Sequence, residues 1–135
     1  MSGPLGAGRR EARERIVHLL YEADQRSVSV DDVLADQVLE PDAYTVEVLR
    51  GLEAIRDDVD RSLAGLAQGW ALDRMPHMDR LVLEVGAYEL IHRADVPTAV
   101  VLNEAVELAN TYGTDESGRF VNGVLSALAE TARPD

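Results

Sequence analysis

The chain reads as an all-α protein, a compact bundle of six or seven helices, and three features of its 135 residues point that way. Apolar residues recur at spacings of three and four along almost the whole chain, the period of one helix face. Ala, Leu and Val are abundant while aromatics make up only 4%, a balance that favours helices over sheets. The stretch Met78–Ile91, MDRLVLEVGAYELI, is interrupted only by Asp79, Arg80, Glu84 and Glu89, and a helix so apolar all round belongs at the centre of a bundle.

The elements follow in chain order. Residues 1–8, MSGPLGAG, hold three Gly and a Pro without periodicity and are expected to form a flexible tail. Residues 9–135 are expected to form a single domain, the usual size for one core. From Arg9 to Asp24, Ala12, Ile16, Leu19, Leu20 and Ala23 make the buried stripe of a first helix. Gln25 to Ser29 reads as a turn, a short helix follows over about 30–39, and Pro41 ends it and opens the next. That helix, about 42–67, buries Val46, Leu49, Leu52, Ile55, Val59, Leu63 and Leu66 and leaves an acidic outer face. Gly69 to Met78 is a connector with the only Trp, broken by Pro76. In the central helix Gly86 costs about 1 kcal/mol relative to Ala, which a neighbouring helix crossing close by would explain. Asp95 and Pro97 signal a helix over about 97–111 closed by Gly113. Thr114 or Asp115 caps the last one, with Phe120, Val121, Val124, Leu125 and Leu128 inward.

Composition excludes several functions. Without cysteine there is no disulfide, thiolate nucleophile or Cys-based metal site, which fits a cytoplasmic protein. No apolar run approaches the ~20 residues that span a bilayer, so no membrane association is expected. Glu89 and His92 form a single Glu-x-x-His, whereas di-metal bundles need two plus further carboxylates; no metal and no cofactor is expected. No nucleophilic, Walker-type or dinucleotide-type motif is present, so an enzyme is not expected.

The net charge of −12 opposes generic nucleic-acid binding, yet charge is uneven. Residues 1–15 carry four Arg and two Glu, whereas residues 31–60 carry ten acids and two Arg. Arg9, Arg10, Arg13, Val17 and Tyr21 follow three-and-four spacing along one surface of the first helix. Guanidinium groups followed by a ring suit single-stranded RNA, whose phosphates and unstacked bases are held together. Arg119 and Phe120 repeat the pairing of charge and ring. On residues alone a solvated helix balanced by Glu11 and Glu14 stands equally, and Phe120 also begins an apolar stripe.

Four blocks taken together, RREARERIVHLLYE (9–22), DRLVLEVGAYEL (79–90), DVPTAVVLNEAVELAN (95–110) and SGRFVNGVL (117–125), resemble the NusB family of bacterial transcription antitermination factors. The resemblance implies two packed helical sub-bundles without catalytic activity. It implies binding of boxA-type single-stranded RNA from ribosomal RNA operon transcripts together with ribosomal protein S10 (NusE), and indirect association with other Nus factors and RNA polymerase. Carried over by position, it assigns RNA binding to Arg9, Arg10, Arg13, Tyr21, Glu116, Arg119 and Phe120, and S10 binding to Asp79, Arg80 and Leu83. Glu11 interrupts the arginine run and the chain has no Lys, so weak RNA binding alone, strengthened by S10, is expected. The alternative is a protein adaptor or homodimer that touches RNA little.

Overall fold

The computed structural model describes residues 9–67 and 74–134. The expected tail over residues 1–8, and most of the Trp70 connector, lie outside the described residues. Among the described residues there are six helices and no strand: α1 (Arg10–Arg26), α2 (Val30–Ala35), α3 (Ala43–Leu66), α4 (His77–His92), α5 (Thr98–Tyr112) and α6 (Asp115–Ala132).

Side-chain caps begin three of them. Ser29 accepts from Asp32 N at 3.0 Å, Asp42 from Thr45 N at 2.8 Å, and Thr114 and Ser117 form a reciprocal box, each meeting an amide that the first helical turn leaves unpaired. Pro41 therefore precedes the cap of α3 instead of opening the helix. The second helix is shorter than its expected extent, stopping at Ala35, because Arg15 from α1 takes the Leu39 carbonyl and the Gln37 side chain. Val38 and Leu39 are left exposed.

Helix α4 packs against α1, α3, α5 and α6, so α1–α3 form one group and α5–α6 the other, with α4 common to both. A Cβ on Gly86 would lie 2.6 Å from Leu125 Cδ1 of α6, the close crossing its position suggested. Arg133, just past α6, closes the far end of α4 by donating to the carbonyls of Glu89, Leu90 and Arg93 at 2.8–3.0 Å and to Val96 O at 2.7 Å. Leu90 is in the last turn of α4, where a helix end leaves carbonyls without an intrahelical partner; Glu89 O accepts from the Arg93 amide as well. In the middle of α3, Ile55 departs from helical geometry (φ −124°, ψ 18°), beside Arg56, which bonds Asp24 of α1 and Glu84 of α4.

Candidate nucleic-acid interface

The arginine stripe of α1 does not form one exposed surface. Arg13 is 1% exposed and Val17 is fully buried. The Arg13 guanidinium enters between α1 and α4, with Nε 3.1 and 3.0 Å from the Glu89 carboxylate oxygens and Nη2 3.0 Å from Oε2. The Tyr44 hydroxyl donates to the same carboxylate, and burial together with the Glu89 charge holds that phenol strongly toward its neutral form. This corrects the expectation that Arg13 contacts RNA: a guanidinium sealed against a buried carboxylate has no surface to offer. Arg9 lies over the Tyr44 ring at 4.1 Å and reaches Asp95 at 3.4 Å. Arg10 stays half-exposed and holds Glu104 in a two-point pair, 3.0 and 2.8 Å, which keeps that carboxyl below its ordinary range.

The other end of α1 is built differently. Tyr21 is 39% exposed, its ring 5.0 Å from that of His77 at the start of α4. His77 Nε2 is 2.8 Å from Asp24, which also accepts both terminal nitrogens of Arg56 at 2.8 Å. Burial opposes ionisation of Asp24, but the hydrogen bonds from Arg56 and His77 outweigh it and lower its pKa. Beneath them, fully buried Glu84 is held by Arg56 at 2.9 and 3.0 Å and by Arg80 at 3.3 Å. Burial, then the neighbouring Asp60 carboxylate, push Glu84 up to about 8 against the pull of Arg56. Arg80, expected at a partner surface, spends its guanidinium on Glu84 and on Asp60 at 2.8 Å.

At the start of α6, Ser117 Oγ donates to Asp79 Oδ2 at 2.9 Å, and burial raises the Asp79 pKa while that bond opposes it. Asp79, Glu116 and Phe120 line one cavity of about 300 Å³ with Met75 and Pro76. The expected S10 residue Asp79 and two expected RNA residues thus share one site. Leu83 does not join them: it is 0% exposed, because α4 is enclosed by neighbours at that level, and this corrects its place on a partner surface. Arg119 also parts from Phe120. The two successive side chains lie about 100° apart around α6, and Arg119 lines an open groove against α5 with Asn103, Asn110 and Asn122.

Sequence reasoning missed Tyr44, His77, Asp24 and Arg56, whose roles depend on contacts between distant helices. His18 Nε2 and Tyr112 Oη, 2.7 Å apart, join α1 to α5 in the same way. Among the described residues no cluster of metal-ligating side chains occurs, and no helix is long and apolar enough to cross a membrane.

The NusB family model matches residues 10–130. The chain belongs to the NusB family. Among its relatives, the transcription antitermination protein NusB of Saccharopolyspora erythraea is 47% identical over 127 residues, covering 90% of this chain and 86% of that protein. That of Pseudarthrobacter chlorophenolicus is 42% identical over 130 residues, covering 92% and 94%. The T. maritima NusB structure superposes with TM-score 0.82 at 31% identity, covering 96% of this chain and 93% of that one. A structure of antitermination factors NusB and NusE in complex with dsRNA shares the fold, with TM-score 0.78 at 24% identity over 91% of this chain and 96% of that one. The NusB match therefore spans all six helices, and with it the chain takes its place among transcription antitermination factors.

Proposed function

We propose that this chain is a non-catalytic antitermination adaptor that binds boxA-type single-stranded RNA of ribosomal RNA operon transcripts together with ribosomal protein S10 (NusE), reaching other Nus factors and RNA polymerase through that complex in the cytoplasm. The observation that carries the reading is the match to antitermination proteins across nearly the full chain. Arg9, Arg10 and Arg119 supply phosphate contacts, and Tyr21 and Phe120 supply rings for unstacked bases. Glu116 stands beside Phe120 at the cavity. The S10 contact falls at the start of α4, where Asp79 lines the cavity and Arg80 is partly exposed beside its carboxylate partners, and Arg13 and Leu83 support those surfaces from beneath. Because the chain is anionic, its own RNA affinity is low, and a basic partner raises it by shared capture of one RNA segment.

Titration of a boxA-type RNA by fluorescence anisotropy, with the protein alone and then with S10, tests this. Tight binding only with both proteins is expected; S10 that holds the RNA equally well without this protein overturns it. That second result is the one a protein adaptor or homodimer predicts, a reading favoured by the net charge of −12.

A further inference from the structure

The groove between α5 and α6 has a volume of about 520 Å³ and is open to solvent. Leu102 and Val106 give it an apolar surface, and Asn103, Asn110, Asn122 and Arg119 line it. Among the described residues none of these four polar side chains has an intramolecular hydrogen bond or ion pair. That sets Arg119 apart from Arg10, Arg13, Arg56, Arg80 and Arg93, each held by carboxylates of its own chain. Gly118 helps to shape the groove: a Cβ there would lie 2.9 Å from Asn110 Cγ, so only glycine lets that carboxamide lie flat on α6.

A carboxamide carries both donors and an acceptor and can pair at two points with a base edge. Three on one groove, with apolar surface between them, match a strand whose bases are unstacked and whose edges are free, the condition in single-stranded RNA. Asp115, the one acid lining the groove, can accept from an exocyclic amino group. Arg119 neutralises a phosphate alongside. We infer that the α5–α6 groove reads the base edges of single-stranded RNA, with Asn103, Asn110 and Asn122 as specificity-determining residues and Arg119 holding the backbone. This rests on the RNA-binding reading above and deepens it, since the phosphate and stacking contacts named there carry no hydrogen-bond readout of sequence.

The test uses the full chain with S10, a boxA-type RNA and a scrambled RNA of the same composition. Asn103→Ala and Asn122→Ala each lower the preference for the boxA-type RNA about 10-fold without changing the salt dependence. Arg119→Ala weakens both RNAs alike and reduces the salt slope by about 1. The side-chain amide resonances of Asn103 and Asn122 shift when RNA is added. If wild type prefers the boxA-type RNA but both Asn variants keep that preference and the amide signals stay still, the groove assignment falls while RNA binding stands. Signals that move with S10 alone and not with RNA make the groove a protein surface and also overturn it. Wild type that discriminates between neither RNA removes the RNA reading and the groove together.

Discussion

The α1–α4 side and the α5–α6 groove handle their cations in opposite ways. On the first, Arg13, Arg56 and Arg80 reach inward and hold Glu89, Asp24, Glu84 and Asp60; in the second, Arg119 and three carboxamides have no partner within the described chain. The difference teaches that in an anionic protein a basic stripe is not by itself a ligand site. A buried carboxylate is costly unless compensated, so α4, which carries Glu84 and Glu89 through the core, draws in arginines from its neighbours. At the groove between α5 and α6 no buried acid among the described residues claims Arg119, so its guanidinium remains available.

Breaking this contrast should have graded effects. The largest is expected at Arg13: Arg13→Ala leaves Glu89 buried without its cation and costs about 3–5 kcal/mol by chemical denaturation. Joint replacement, Arg13→Met with Glu89→Leu, should recover most of that loss, since an apolar pair of similar volume needs no compensation. Next, Tyr44→Phe removes a hydrogen bond to the same charged group and costs about 1.5–3 kcal/mol.

A pH effect follows from Glu84. Between the ordinary carboxylate value of 4.5 and about 8 the folded chain keeps the Glu84 proton that the unfolded chain has released. Raising pH through that window therefore favours unfolding. Asp24, whose pKa is lowered, acts in the opposite sense and at lower pH, losing its contribution as pH falls below 3.8. The melting temperature of wild type should decline across the upper window and that of Glu84→Gln should decline less; parallel curves would show that Glu84 titrates normally. The smallest stability effect belongs to the groove: Arg119→Ala should move the unfolding free energy by no more than about 0.5 kcal/mol, because nothing inside the chain depends on it.

Local order was legible in the residues. The apolar spacing placed all six helices, the start of α6 was narrowed to Thr114 or Asp115 and falls at Thr114, and Gly86 announced a close crossing that Leu125 makes. Of the candidate site, the exposure of Tyr21 and Arg119 was legible; that Asp79 shares one cavity with Glu116 and Phe120 was not, since the residues alone set them on separate surfaces. Arg13 and Leu83 were misplaced. Spacing says which side chains share a face of a helix, but not which neighbour covers that face.

What the sequence determined by itself was periodicity, capping and the family to which the blocks belong, since these depend on residues within a few turns of one another or on their order along the chain. Tertiary structure alone decided which charges are buried and with whom. Arg13 and Glu89 are 76 residues apart, and Arg56 and Glu84 are 28 apart. Electrostatic compensation depends on distance through space and on exclusion of water, and neither exists until α4 is enclosed.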